Sequence, residues 1–288
     1  MKKLPGLARS DSMKTLPCEN NENGKNSGEK MTYEFDGKKY EKASSHQKEW
    51  GERIIEELAL KGTERILDLG CGDGVLTAEL ARLVPEGEVL GIDASRGMIE
   101  TAVSRQGENL RFALMDINTL EIDRQFDVVF SNATLHWVKD HRRLLSNVLR
   151  VLFPGGLARF NFAGDGNCSY FFKVIRESMT LPGFSKYFVG FPWPWFMPTV
   201  EDYKTLVKDS GFSSTEVWGE NTDRFFPDRD ALIKWVDQPS LVPFMAYVAE
   251  GDKKSFREFV VRRMIEETTQ VDCTCFETFR RINLLARK

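Results

Sequence analysis

Long apolar runs are missing from this sequence. None of its 288 residues lies in a stretch approaching the roughly eighteen consecutive apolar residues that a membrane-spanning helix needs, so no membrane partnership is expected. An excess of positive charge is missing as well. Forty Lys and Arg against 43 Asp and Glu give a formal net charge of -3, which supplies no field to draw a nucleic-acid backbone. Nucleic acid is therefore not expected as a partner, and a small-molecule substrate is. A disulfide framework is also lacking, because the five cysteines are odd in number and irregularly spaced. Lys2 and Lys3 are followed by Pro5, Gly6, Arg9 and Asp11, which break any apolar core of a secretory signal. A reducing compartment, the cytoplasm, is the expectation. Cys273 and Cys275 alternate in an extended segment and have no further ligands nearby with which to close a metal site, so no metal is expected.

What is present is centred on residues 64–74, Glu-Arg-Ile-Leu-Asp-Leu-Gly-Cys-Gly-Asp-Gly. An apolar run (Ile66, Leu67, Leu69) bounded by charge and glycine reads as a buried parallel strand, and Gly70, Gly72 and Gly74 as a tight turn into a helix over residues 75–83. Without Cβ atoms such a turn lets a ligand lie against the backbone, facing the N–H groups of the helix start. A dinucleotide site would have its third glycine one position later, where this chain has Val75. Asp68, just before the glycines, would repel a pyrophosphate and suits a cationic amino-acid moiety such as that of S-adenosylmethionine. Asp93 lies nineteen residues after Gly74 at the end of a second strand (88–93), where an acid can accept both ribose hydroxyls.

The length suits one large α/β domain with insertions. Residues 1–30 are polar and carry Pro5 and Pro17, which predicts a disordered extension ahead of a domain over 31–288. A leading helix is expected over 33–60. Ser95 serves as N-cap of a helix to about residue 106, and strand 3 spans 110–115. Asp116 closes that strand where it can accept an adenine amino group, with Ile117 packing on the ring and Met98 either a core helix residue or a wall of the pocket. Strand 4 (126–131) leads into the turn Asn132-Ala-Thr-Leu-His-Trp137, which should face the reacting group. A helix over 140–152, a Pro154-Gly155-Gly156 turn and strand 5 (157–162) complete a parallel alternation. Dense aromatics between residues 169 and 197, among them Trp193, Trp195 and Phe196, predict a helix over 169–179 and a loop that either closes on a substrate pocket or covers an ordinary hydrophobic core. Thr199 and Asp202 are placed as a capping box, and strand 6 begins near 215. Helices over 230–236 and 252–268 precede a last strand over 279–286.

From Asp68 to Gly156 the sequence resembles the class I S-adenosylmethionine-dependent methyltransferases, in particular the trans-aconitate, malonyl-carrier-protein and juvenile hormone acid group; Leu135-His-Trp-Val-Lys-Asp140 is the most specific stretch. The resemblance implies a Rossmann-like, mostly parallel seven-stranded sheet. Its last strand would be antiparallel; the aromatic segment, and the two helices inserted before that strand where the usual fold has a hairpin, are read from the residues as helical lid insertions at about 165–200 and 228–270. The resemblance also implies S-adenosylmethionine as cofactor, held by Asp68, Gly70, Gly72, Asp93, Asp116 and Ile117; Cys71, Ala94, Met98 and Asn132 beside them are further candidate cofactor contacts. Gln47 and Trp137 match the family's contacts to a substrate carboxylate. His136, the only histidine that the sequence puts near the centre, is read as a hydrogen-bond donor to that carboxylate, or as the base if the acceptor is an amine or hydroxyl. Only Lys173, Arg176 and Lys186 are cationic between residues 169 and 197, which favours an apolar monoacid over a tricarboxylate. A monomer or homodimer is expected. A protein that binds the cofactor without turnover is the other reading.

Overall fold

The computed structural model describes residues 33–35 and 45–288, without the side chains of residues 45–47 and of Pro239. The extension expected at 1–30 and the Gln47 side chain lie outside the described residues. Five strands follow the expected alternation: β1 (Arg65–Leu69), β2 (Glu88–Asp93), β3 (Leu110–Leu114), β4 (Phe126–Asn132) and β5 (Leu152–Ala163). After them come β6 (Ser214–Asn221), a short pair β7 (Arg224–Phe226) and β8 (Cys275–Glu277), and β9 (Arg280–Arg287). The main sheet has the order β3-β2-β1-β4-β5-β9-β6, and β9 runs antiparallel to both β5 and β6. The mostly parallel sheet with its last strand reversed is therefore as expected. Reversal of order between β1 and β4 opens a crevice at the carboxyl ends of these strands, where open α/β sheets bind ligands.

Local chemistry sets the element ends. Gly74, at φ 81°, opens the helix Val75–Leu83. Ser95 caps Arg96–Ala102 by accepting from the Met98 N–H, and Asp140 caps His141–Val151 by accepting from the Arg143 N–H. At Val200–Lys208 the Thr199 hydroxyl accepts from the Asp202 N–H and donates to the Asp202 carboxylate, so the acid grips the cap's hydroxyl instead of its backbone N–H. The main sheet separates two hydrophobic layers. Leu67, Leu69, Val129, Phe160, Phe162 and Tyr203 pack on one face, and Ile54, Ile66, Leu80, Val128 and Phe130 on the other.

Three expectations change. The leading helix is Ser45–Glu56, and residues 33–35 are not helical, because Glu34 and Phe35 bond to Ser95 instead of to a helical turn. The Pro154-Gly155-Gly156 turn is an irregularity within β5, where pairing with β4 shifts between Phe126 and Val128. Cys273 sits in a left-handed turn at φ 67°, so only Cys275 reaches a strand.

The segments after β5 and before β9 form a third core of their own. The helices Ser169–Thr180, Arg229–Trp235, Val242–Met245 and Glu250–Thr268 bury Phe171, Trp195, Trp235, Phe244 and Phe256 among themselves and against Trp50. Glu277 of β8 reaches the start of Ser169–Thr180 and accepts from the Phe171 and Tyr170 N–H groups at 2.9 and 3.2 Å. Burial pushes its carboxyl up to about 7, against the pull of those N–H groups. Among the described residues, no helix is long and apolar enough to cross a membrane, and no group of three or more His, Cys, Asp or Glu could hold a metal ion.

Candidate active site

The glycine turn is pinned from both sides. Ile92 of β2 accepts from the Gly70 and Cys71 N–H groups at 2.8 and 2.9 Å, and the Thr134 hydroxyl, beyond β4, reaches the Gly70 carbonyl at 3.0 Å. A Cβ on Gly70 would lie 2.1 Å from the Thr134 methyl, so only glycine admits this approach. At Gly72, φ 56°, a Cβ would meet nothing within 4 Å, which leaves open space directly against the backbone.

Two carboxylates flank that space. Asp68 is buried within β1 and accepts the Thr77 hydroxyl at 2.7 Å. Burial pushes it up to about 7; the Thr77 hydroxyl opposes this and the charge of Asp93 adds to it. Asp93 ends β2 and accepts from the Gly72 N–H (3.0 Å) with one oxygen and the Ser95 N–H (2.8 Å) with the other. Burial raises its carboxyl too, those N–H groups pull it down, and Glu34 raises it again. Ala94 follows Asp93 half-buried, and Met98 is buried on the next helix. At the end of β3, Asp116 takes the Asn118 N–H and side-chain amide on Oδ1, at 2.8 and 2.7 Å, and Ile117 is buried beside it. Strand order thus brings the predicted residues of β1, β2, β3 and β4, with Asn132 at the last strand's end, to adjacent carboxyl ends.

The turn after β4 forms a 3-10 helix, Leu135–Trp137. Leu135 is buried in the sheet core, whereas the half-buried Trp137 packs on the third core. Rings of Trp195, Tyr33 and Phe35 stand 5.4, 5.7 and 5.7 Å from that of Trp137. Lys139 donates to the carbonyls of Trp193 and Trp195, and the Phe196 N–H donates to the His136 carbonyl at 2.8 Å, so the aromatic segment 193–196 is tied to the turn. Burial, with lesser contributions from Arg281 and His141, holds the His136 imidazole well below its usual range, so the ring is neutral at pH 7. Its Nδ1 is buried and bonds to none of the described residues.

Sequence reading missed several of these groups. His141 is a second histidine at the turn: its Nε2 lies 3.0 Å from the Leu135 carbonyl and its Nδ1 3.2 Å from the Tyr203 hydroxyl. The carbonyl requires an N–H at Nε2, so Nδ1 accepts from Tyr203, and burial lowers the ring to about 4. Glu34 accepts the Ser95 hydroxyl at 3.2 Å, which sets residues 33–35 between the start of Arg96–Ala102 and Trp137. The helix expected over 140–152 includes His141 in its first turn without marking it as part of the site, and nothing in the local pattern marks Glu34.

Residues 66–156 match the family described as a methyltransferase domain. A trans-aconitate 2-methyltransferase of Deinococcus radiodurans is 32% identical over 197 residues, 67% of this chain and 75% of that enzyme. An uncharacterized methyltransferase of Schizosaccharomyces pombe is 29% identical over 262 residues, 88% of this chain and 98% of that protein. In fold the chain is similar to the Haemonchus contortus phosphoethanolamine N-methyltransferase 2 solved with phosphomonomethylethanolamine and S-adenosylhomocysteine (TM-score 0.52, 20% identity, 83% of this chain and 52% of that one). With that identity carried across three quarters of the Deinococcus enzyme, and the glycine turn and its two acids at the crevice of the sheet, the chain belongs to the class I S-adenosylmethionine-dependent methyltransferases.

Proposed function

We propose that this small-molecule methyltransferase esterifies the carboxylate of a small, partly apolar acid, and that the segments 165–200 and 228–270 of the domain 31–288 close over that acid. The observation that carries the reading is the neutral His136 beside Trp137, under a wall of rings from Trp195, Tyr33 and Phe35. An imidazole held far below its usual range is a poor base, which counts against an amine or hydroxyl acceptor that must lose a proton. A carboxylate, with an ordinary pKa of about 4, is already ionised and needs only orientation and desolvation. The indole N–H of Trp137 and an imidazole N–H of His136 are neutral donors that can orient it without the tight pairing an arginine would impose. Gln47, on the leading helix, is proposed as a third.

The residues fit the cofactor. Open space against Gly72 admits a ligand between Asp68 and Asp93, the first suited to its ammonium and the second to its ribose hydroxyls. Met98 and Ile117 supply apolar walls, and the Asp116 carboxylate an acceptor for the adenine amine. When bound, S-adenosylmethionine supplies an electrophilic sulfonium methyl, and passing it to a carboxylate oxygen leaves no proton to remove.

A turnover screen tests the acceptor: free carboxylic acids, acyl-carrier thioesters, phenols and amines are offered with the cofactor, and adenosylhomocysteine formation is measured. Apolar monocarboxylic acids should react without added metal, at a rate flat from about pH 6 to 8. Turnover confined to amines or phenols would sink the reading.

Asp68 gives the cofactor site its own pH signature. Its carboxyl sits at about 7 in the free protein, and an ammonium beside it favours the ionised form, so binding below pH 7 must expel a proton. Adenosylhomocysteine affinity should therefore fall as pH drops through 7, by up to roughly tenfold per unit. Calorimetry between pH 5.5 and 7.5 in buffers of different ionisation enthalpy measures both the affinity and the proton. A flat affinity with no proton released would place the ammonium elsewhere.

A further inference from the structure

The turn that carries His136 and Trp137 is a single short coil. Its own bonds run from the Trp137 N–H to the Thr134 carbonyl at 3.0 Å and from the Val138 N–H to the Leu135 carbonyl at 2.9 Å. A 3-10 helix of this length is marginal by itself, so its shape depends on what holds it from outside. That hold falls on two consecutive carbonyls. His141 Nε2 lies 3.0 Å from the Leu135 carbonyl, and the His136 carbonyl takes the Phe196 N–H at 2.8 Å. The two holds meet, because the His141 and Phe196 rings stand 4.8 Å apart. His141, 2% exposed at the start of His141–Val151, also packs on the rings of Phe162 and Tyr203 at 5.3 and 5.4 Å. The Tyr203 hydroxyl is 3.2 Å from its Nδ1, so each ring nitrogen has a partner and one tautomer serves both.

We propose that His141 is the positioning residue of the acceptor site: its Nε2–H, bonded to the Leu135 carbonyl, sets where the Trp137 indole points, and the Tyr203 hydroxyl keeps the imidazole in the tautomer that makes this bond. The Val138 N–H bonds to the same carbonyl and so closes a loop around Trp137, and a carbonyl free to swing would carry the indole with it. Phe196 extends the hold to the aromatic segment. It follows Trp195, whose ring stands 5.4 Å from that of Trp137, and it meets the turn with its backbone and His141 with its ring. Turn, histidine and covering rings are thus fixed as one piece. Where catalysis is orientation, a displacement of about 1 Å can cost on the order of a hundredfold in rate, so a residue that never touches the acceptor can still govern transfer to it. This role rests on the ester reading for what the indole N–H does, and not for where the indole is held.

Indole position and turnover are measured separately. In NMR spectra of the adenosylhomocysteine-bound full chain, isotope-labelled at tryptophan nitrogen, the Trp137 indole signal is identified by its loss in Trp137→Phe. It should shift in His141→Phe, which keeps a ring and deletes the donor, and return in His141→Gln, whose amide N–H can reach the carbonyl although the ring is gone. With octanoate as acceptor, His141→Phe should lower methyl transfer roughly tenfold at unchanged adenosylhomocysteine affinity, and His141→Gln should recover most of it. The double variant His141→Phe/Trp137→Phe should be no slower than Trp137→Phe alone, since both losses run through one indole. A merely structural histidine predicts the reverse: an unmoved indole signal in His141→Phe, greater damage in His141→Gln for want of a ring, and losses that multiply in the double variant. That result overturns the assignment and leaves the ester reading in place. If His141→Phe does not fold, His141→Gln decides alone: a displaced indole signal in a variant that still binds adenosylhomocysteine overturns it. Octanoate left unmethylated by the unaltered protein counts against the ester reading, and the indole signal, which needs no acceptor, then judges His141.

Discussion

Trp137→Phe is expected to lower methyl transfer ten- to a hundredfold, equivalent to about 1.4 to 2.7 kcal/mol, with adenosylhomocysteine affinity unaltered. Phenylalanine keeps a ring among Trp195, Tyr33 and Phe35 and deletes only the indole N–H, so the loss reports the donor and not the packing. His136→Ala should cost much less. Burial holds that imidazole well below its usual range, so it stays neutral through the pH of the assay and the rate is expected to be flat. The order of the two variants in steady-state kinetics is decisive. An inactive His136→Ala beside a nearly silent Trp137→Phe, with a rate that climbs through the histidine range, would mean an acceptor that must be deprotonated.

Asp93→Ala should weaken adenosylhomocysteine binding by roughly 1.5 to 3 kcal/mol, about ten- to 150-fold in affinity, through lost charge-assisted bonds to the ribose. Geometry adds a second loss, because the same carboxylate joins the Gly72 N–H to the Ser95 N–H and so ties the glycine turn to the end of β2. Asp93→Asn separates the two. An amide oxygen can keep one of those N–H bonds but not the charge, so its melting temperature should stay nearer to that of the unaltered protein than its affinity does. Calorimetry and thermal melts on the same samples read both quantities. Unchanged affinity in Asp93→Ala would move the ribose contact to another residue.

What could be read from the residues beforehand was local. The alternation of β1 to β4, the glycine turn, and the caps at Ser95 and Thr199 depend on neighbours within a few positions, and each lies where the pattern places it. The class of the sheet followed from the strand and helix alternation, and the reversed last strand from the family resemblance. The rest depends on contacts that no short window contains. Arg281 meets Asn161 across 120 residues, and Glu34 meets Ser95 across 61. Helical register across the leading segment as a whole extends a helix over residues 33–35, yet a carboxylate, a hydroxyl and a backbone N–H claim them first. The β7–β8 pair escaped notice for a different reason: three-residue strands leave too little alternation to register.

The division of the interior into separate cores has a consequence for lineage. Substitutions at Phe171, Phe244 or Phe256 are felt in one packing unit, and those at Leu67, Leu69 or Ile92 in another. The seam between them runs through three consecutive residues, with Leu135 anchored on one side and Trp137 resting on the other. On the proposed reading, in which the helical insertions cover the acceptor, a descendant could repack them while leaving the layers that carry the glycine turn as they are. Diversification of diet without loss of trade is written into where the hydrophobic side chains are partitioned.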